Sequence, residues 1–183
     1  DYLEFRLRRY LTFAEFKSEL APHFGLGLEG YATWTSPIRK YSDMVNHRLI
    51  KAVLTQQACE KPQDEVLARL QEARRQNRLV ERDIADWLYC RYLADKVAEN
   101  AEFDAEVQDV MRGGLRVQLL ENGASMFVPA STLHPNKDEM QVNADELALY
   151  IQGERRYKIG DLVKVKLTEV REETRSIIGQ LII

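Results

Sequence analysis

The sequence predicts an α+β protein in which a helical part, residues 1–100, is followed by a small β-barrel, residues 101–183. Two observations predict this class. In the first part glycine is sparse and apolar residues recur at spacings of three and four, as on one face of a helix. In the second part, short stretches of alternating apolar and polar residues are separated by glycine turns. The charge divides at the same place, with a net of +1 in the first part and −4 in the second.

Three helices are predicted in the first part. The first covers residues 2–20, and a glycine-punctuated loop follows at residues 23–30. The second helix is predicted to start with Ser36 as its N-cap and Pro37 at its first position, where the missing N–H of proline costs nothing. Its apolar stripe fades at Gln56. Each of these segments is typical of a helical domain joined by short loops.

The third predicted helix is the longest element of the chain. It starts after Pro62 and runs to about Asn100, which corresponds to a length of roughly 50 Å. Its apolar stripe consists of Val66, Leu70, Ala73, Val80, Ile84 and Trp87.

The second part predicts five or six short strands, at residues 103–111, 114–120, 124–130, 147–152, 161–170 and 176–182. Alternation is clearest between Val163 and Thr168, where apolar and polar side chains take turns. About eighty residues of short strands, with a small excursion between the third and the fourth, are typical of a five-stranded OB-fold barrel.

Composition excludes several classes of protein. No apolar run approaches the roughly 18 residues that a membrane span requires, and the net charge of −3 gives no overall attraction for polyanions. Cys59 and Cys90 form neither a disulfide framework nor a metal-ligand spacing. We therefore expect a cytoplasmic protein without membrane attachment. No protein partner is evident, so we expect a monomer, and the helical pattern at the very start predicts a fragment of a longer protein.

Arg39 and Lys40 fall in the first turn of the second predicted helix, where the helix dipole disfavours each cation by up to about 1 kcal/mol. Two interpretations stay open at this point. In one, Arg39 pairs with Asp43 four residues on, a contact worth about 0.3–0.5 kcal/mol, and Lys40 is solvated. In the other, both cations and the free N–H groups of the first turn bind a phosphate.

The stretch TSPIRKYSDMVNHRL, residues 35–49, resembles the T-S-P-I-R-[RK]-Y-x-D-x-x-x-H-R signature of the RNase II family of exoribonucleases. The surrounding PHFGLGLEGYATW and RRQNRLVERDIADWLYCRYL are also similar to bacterial members. The resemblance assigns residues 1–100 to the C-terminal portion of an RNB catalytic domain and residues 101–183 to an S1-type RNA-binding domain. It implies Mg²⁺-dependent hydrolysis of single-stranded RNA from the 3′ end, releasing nucleoside 5′-monophosphates.

The same resemblance implies roles for two side chains. Arg39 is expected to grip the scissile phosphate, and Glu81 to reach the active-site region. The alternative for Glu81 is an exposed carboxylate paired with Arg78 or Arg74. The Mg²⁺ ligands of the family are aspartates of an earlier segment that this chain lacks, so we expect no metal ligands here. The chain alone is expected to bind RNA without degrading it.

The stretch RGGLRVQLLENGASMFVPAST resembles the S1 domain pattern in its glycine turns and its Phe-Val-Pro strand. OB folds bind single strands by stacking bases on exposed aromatic rings and by lining a groove with cations. For each candidate the alternative is a surface charge or a core position. The RNA-binding candidates of the whole chain are Lys40, Arg112, Arg116, Phe127, His134, Lys164 and Lys166.

Two other classes of function remain open from the sequence. One is a stand-alone RNA-binding or regulatory module without catalysis, which an upstream aspartate cluster in the encoded protein would exclude. The other is an adaptor that binds a protein through the apolar face of the long helix, which would show no retention of labelled RNA.

Overall fold

The computed structural model describes Leu7 and residues 10–182. Within them the chain forms two compact units. Residues 11–80 form one unit, and residues 81–182 belong with Tyr10 to the other. No helix among these described residues is long and apolar enough to cross a membrane.

The unit of residues 11–80 begins without regular helix. Residues 11–20 are irregular, so the predicted first helix is wrong there, and its earlier part, apart from Leu7 and Tyr10, lies outside the described residues. The segment is held by other contacts, because the Ala14 carbonyl accepts a hydrogen bond from Gln71 Nε2 at 3.2 Å. A short helix depends on packing one apolar face, and the apolar side chains of this stretch, such as Phe13, are largely exposed.

Helix α1 spans Tyr41–Leu54, so it begins later than predicted. Ser36 is not its N-cap; that position belongs to Lys40, which has extended backbone and makes no side-chain capping bond. Between them lies a tight turn, in which the Arg39 and Lys40 N–H groups donate to the Ser36 carbonyl at 3.2 and 2.9 Å. The cause is tertiary, because the Ser36 N–H is bound to the carboxylate of the buried Asp43.

Helix α2 spans Asp64–Ala94, 31 residues and about 46 Å. A 3₁₀ turn, Asp95–Val97, follows it. The α-helix ends before the predicted Asn100, but the backbone is still in the right-handed helical region at Ala98 and is left-handed at Asn100, whose φ is 53°. Asparagine tolerates this left-handed conformation and often ends helices with it.

Five strands close into a barrel, which confirms the predicted α+β class with an OB-type barrel. Its strand order is β1-β2-β3-β8-β7. All neighbours pair antiparallel except β3 and β8, which pair parallel. The strands are β1 Glu102–Met111, β2 Gly114–Leu119, β3 Ser125–Pro129, β7 Leu162–Arg171 and β8 Ser176–Leu181.

The excursion after β3 is larger than predicted. It contains the short helix α3, Ala130–Leu133, and a separate antiparallel sheet of β4, Met140–Asn143, β5, Ala148–Ile151, and β6, Glu154–Lys158. The strand predicted at 147–152 therefore belongs to this sheet instead of the barrel. Strands β4 and β6 lacked a sequence signal because they are short and mostly polar edge strands.

The core of the second unit fills the barrel and extends to the end of α2. Cys90 and Leu93 are fully buried against it. At the barrel loops, Tyr89 donates a hydrogen bond to the Asn122 carbonyl at 2.9 Å, and Asp83 pairs with Arg175 at 3.3 Å. Fully buried barrel side chains include Ala105, Val107, Leu115, Val117, Leu119, Met126, Val128 and Val165.

Candidate nucleic-acid interface

Arg39 lies at the exposed tip of the turn that precedes α1, one residue after the fully exposed Ile38. Its side chain forms no hydrogen bond or ion pair with any other described residue. The alternative ion pair with Asp43 is not formed, and the predicted location in the first turn of the helix is wrong. Arg39 precedes the helix, with its guanidinium open to a ligand from outside.

Asp43 lies beneath this turn and is fully buried. Its carboxylate accepts hydrogen bonds from the Thr33 hydroxyl, the Ser36 N–H at 2.9 Å and the Ser42 hydroxyl at 3.3 Å. The Thr33 hydroxyl makes the largest contribution to a pKa of Asp43 below its ordinary value; burial opposes this, while Ser36, Ser42 and the charge of Lys40 assist it. Asp43 is therefore held as a carboxylate anion inside the unit.

Two further side chains of α1 hold the same segment. Asn46 Nδ2 donates to the Thr33 carbonyl at 2.8 Å, and His47 Nε2–H donates to the Trp34 carbonyl at 2.9 Å. The imidazole also stacks on the Trp34 indole, with ring centroids 3.7 Å apart and an angle of 12° between the planes. Residues Thr33 to Ser36, which we name the tethered segment, are thus bound to α1 at both ends.

Glu81 is exposed on α2 and forms no ion pair with another described residue. The alternative pairing with Arg78 or Arg74 is therefore absent; Arg74 lies over the Phe16 ring at 5.7 Å instead. Glu81 belongs to the unit that contains the barrel, and Arg39 belongs to the unit of residues 11–80.

One face of the barrel brings three of the predicted RNA-binding residues together. Arg116 on β2 is the direct cross-strand partner of Phe127 on β3. Arg116 is exposed and Phe127 is half-buried. Arg112 is exposed in the β1–β2 turn beside Gly113, where an added Cβ would lie 3.8 Å from Phe127 Cζ. We call Arg112, Arg116 and Phe127 the Phe127 face, an aromatic ring flanked by two cations.

Two residues next to this face were missed from the sequence. Gln118 and Ser125 are exposed and are cross-strand partners. They lie two residues along β2 and β3 from Arg116 and Phe127. The alternation of β2, which places residues 116 and 118 on the same side, was the signal that could have found Gln118.

The other candidate cations lie elsewhere. Lys164 on β7 pairs with Asp104 on β1 at 2.9 Å, and the hydrogen bond that its ammonium donates to that carboxylate raises the pKa of Lys164. Lys166 lies opposite Glu102 in the same strand pair. Because β7 neighbours β1 and β8, these lysines are not on the β2–β3 surface.

His134 and Lys40 are also apart from the Phe127 face. The His134 ring lies in the loop after α3, with Nδ1 3.0 Å from the Asn136 carbonyl and Nε2 3.7 Å from Glu139. Lys40 is exposed at the start of α1, in the unit of residues 11–80. For these residues an RNA contact stays a prediction.

The described part of the chain does not fit a resident metal ion. No group of three or more His, Cys, Asp and Glu side chains converges there. Asp83 and Asp86 lie three residues apart on α2, a spacing that could place two carboxylates near one metal ion. Asp83 is instead paired with Arg175 at 3.3 Å. Both cysteines are free thiols, Cys59 exposed and Cys90 buried.

Family profiles and curated relatives match the chain. The RNB domain profile matches residues 1–56, and the S1 RNA binding domain profile matches residues 96–181. The chain is 86% identical over 182 residues to Exoribonuclease 2 of Haemophilus influenzae (strain 86-028NP). It is 76% identical over 181 residues to Exoribonuclease 2 of Pasteurella multocida (strain Pm70). These alignments cover 100% and 99% of this chain, and the chain spans 28% of the length of each relative.

Solved structures with the same fold include the apo form of Mycoplasma genitalium RNase R, with a TM-score of 0.76 and 24% identity. That match covers 96% of this chain and 28% of the other. The same values hold for that protein in complex with ribose methylated single-stranded RNA. The chain therefore has the RNB and S1 domains of the proteins named Exoribonuclease 2, and it corresponds to the C-terminal 28% of these relatives, where the S1 domain follows the RNB domain.

Proposed function

We propose that the chain is the C-terminal part of a hydrolytic exoribonuclease that degrades single-stranded RNA from its 3′ end to nucleoside 5′-monophosphates. The observation that carries the proposal is the 86% identity, over the whole chain, to a protein named Exoribonuclease 2. At that identity the functional side chains are expected to keep their roles. In the full-length enzyme Mg²⁺ would be held by residues outside this chain.

Arg39 is the side chain that we assign to the chemistry. An arginine stays charged and offers a planar fork to two phosphate oxygens. The guanidinium is exposed at the tip of a turn and pairs with no other residue that the structure describes, which supports this role, since such a donor stabilises charge that develops on a phosphate. Glu81 is assigned a position near the same reaction, supported by its exposure and its freedom from ion pairs within the described residues.

The barrel is assigned the capture of the RNA strand. Its Phe127 face offers one ring for stacking and two guanidinium groups for the backbone, the combination by which OB folds hold single strands. A solved relative of this fold, RNase R, was obtained with a single-stranded RNA. We place the domain boundary at residue 100, since β1 begins at Glu102, and we keep the monomeric state and the cytoplasmic location as predictions.

A nuclease assay that compares the 183-residue chain with the full-length enzyme tests the proposal. With Mg²⁺ and labelled oligo(A), we expect steady release of nucleoside monophosphates from the full-length enzyme only. The isolated chain is expected to retain the RNA in a binding assay without shortening it. Degradation by the isolated chain would contradict the proposal, and so would a full-length protein without nuclease activity.

The stand-alone RNA-binding module is the second candidate, and the comparisons do not favour it. The RNB domain profile already matches residues 1–56, and each relative is more than three times as long as this chain. An open reading frame that begins just before residue 1 would restore that candidate.

A further inference from the structure

The turn that carries Arg39 has no anchor of its own at its tip. Ile38 is fully exposed, and the Arg39 side chain forms no hydrogen bond or ion pair with any other described residue. The direction of the guanidinium is therefore set by the backbone on either side, which is Ser36 before the turn and the start of α1 after it.

Ser36 connects the turn to the interior. Its carbonyl accepts from the N–H groups of Arg39 and Lys40, and its own N–H donates to Asp43 at 2.9 Å. Asp43 thus holds the Thr35–Ser36 peptide group, which the Ser36 Cα joins to the carbonyl that closes the turn. A change in the backbone at Ser36 would move that carbonyl and re-aim Arg39.

Asp43 is the single charged side chain that is fully buried within the described residues. A buried carboxylate is costly unless its oxygens are hydrogen-bonded, and here Thr33, Ser36 and Ser42 supply the donors. Buried charged groups are weak stabilisers, and their best-supported use is to fix one conformation among several. The location of Asp43 beneath the turn that carries Arg39 fits that use.

We infer that Asp43 is a positioning residue for the reaction: through Ser36 it holds the Arg39 turn in the orientation that meets the scissile phosphate. The inference rests on the proposed function of Arg39. Asn46 and His47 assist by fixing Thr33 and Trp34 of the tethered segment. Loss of Asp43 would leave RNA capture intact and lower the rate of the chemical step.

The experiment is a double-mutant cycle in the full-length enzyme, with kcat and KM measured on oligo(A). Arg39→Ala is expected to lower kcat by about 10²–10³-fold with little change in KM. Asp43→Ala is expected to lower kcat by about 10²-fold, the effect of roughly a 1 Å misplacement. In the Arg39→Ala background, Asp43→Ala should change kcat by less than about 2-fold, because there is no guanidinium left to position.

Controls separate positioning from a general loss of structure. Asp43→Asn keeps an acceptor for the Ser36 N–H and should retain a higher kcat than Asp43→Ala, which covers the case that Asp43→Ala fails to fold. Asp64→Asn changes an exposed carboxylate in the first turn of α2 and should leave kcat within about 2-fold. The inference is overturned if Asp43→Asn or Asp43→Ala lowers kcat by the same factor in the Arg39→Ala background as in the wild-type background. It is also overturned if these changes affect KM alone. In both cases the proposed function stands. If Arg39→Ala itself leaves kcat unchanged, the assignment of Arg39 fails, and the inference fails with it.

Discussion

At the scale of single residues, the candidate functional side chains are exposed, and at Arg39 a buried carboxylate fixes the backbone nearby. Arg39, Glu81 and Arg116 are exposed. The groups that fix the backbone before Arg39 are polar and partly or fully buried, namely Asp43, Asn46 and His47. Substitution of an exposed group should therefore change function, and substitution of a buried one should change function and stability together.

Phe127 is expected to supply the stacking surface of the barrel. Phe127→Ala should weaken binding of oligo(A) by about 1–3 kcal/mol, or roughly 5- to 150-fold in Kd, because one base loses its aromatic partner. Fluorescence anisotropy on the 183-residue chain measures it. The matched control is Leu120→Ala, which removes an apolar side chain that is 53% exposed. Equal affinities for the two variants would exclude a stacking role.

Asp43 should give the unit of residues 11–80 an acid-sensitive stability. Its pKa in the folded chain lies below the ordinary 3.8. A carboxylate with a lowered folded-state pKa stabilises fully above its unfolded-state pKa, and that contribution disappears as the pH falls through the lowered value. We expect the urea midpoint to fall between about pH 5 and pH 3, and to fall less in Asp43→Asn.

Trp34 provides the measurement, because it stacks on His47 within this unit. With Trp87→Phe as background, Trp34 is the one tryptophan left of the two in the sequence. The same pH profile with and without Asp43→Asn would show that Asp43 does not contribute.

At the scale of elements, close packing of the barrel constrains β8. Gly179 lies directly against the core, where an added Cβ would come within 2.3 Å of Met126 Sδ and 2.8 Å of the Lys166 carbonyl oxygen. A side chain at this position has to displace backbone as well as a flexible methionine. Because β8 is paired on both sides in the closed barrel, that displacement has to strain its neighbours.

Gly179→Ala is therefore expected to lower the free energy of unfolding by about 1–3 kcal/mol. Thermal unfolding followed by circular dichroism measures the loss. Gly113→Ala is the matched control: its nearest neighbour, Phe127 Cζ, lies at an ordinary 3.8 Å, so the change should stay within about 0.5 kcal/mol. A larger loss for Gly113→Ala than for Gly179→Ala would contradict this packing account.

Sequence patterns predicted those elements whose structure depends on local chemistry. The barrel strands alternate strongly, as between Val163 and Thr168, and the long helix α2 has an apolar stripe that is interrupted only at Asn77. The predicted start of α1 was wrong, because Ser36 and Pro37 have the local chemistry of a cap, while the hydrogen bond that the Ser36 N–H donates to Asp43 holds this segment in a turn. The sequence patterns used to locate helix ends do not include such a contact between residues seven positions apart. Strands β4 and β6 were also missed, because they form by pairing with β5 and their own residues show no strand pattern.

The sequence likewise predicted only part of the candidate site. Arg39 and the aromatic-basic pair of Arg116 and Phe127 were predicted from motif and alternation. That Lys164 is already paired with Asp104 depends on the register between β1 and β7, which the sequence does not reveal.

At the scale of the whole molecule, charge opposes RNA binding. The chain carries 29 acidic against 26 basic side chains, so its net charge is −3. Binding must then come from a few local cations instead of the whole surface. The Phe127 face supplies two of them, Arg112 and Arg116.

The salt dependence of binding tests this. Two neutralised phosphates on a single strand predict a slope of about −1.4 for log K against log salt concentration. Anisotropy titrations of the 183-residue chain between about 50 and 200 mM KCl measure it. A slope of −4 or steeper would require about six phosphate contacts, which this face does not provide.

The parallel pairing of β3 with β8 closes the barrel with one register pair in the described residues, Phe127 opposite Ile178. Every other seam of the barrel has at least five such pairs. Thermal fluctuations should therefore open the cylinder here first, and backbone amides along this seam should exchange with deuterium sooner than those of β1. An opened seam would present two unpaired strand edges to other chains, which makes this junction the place where heat-induced aggregation is expected to begin.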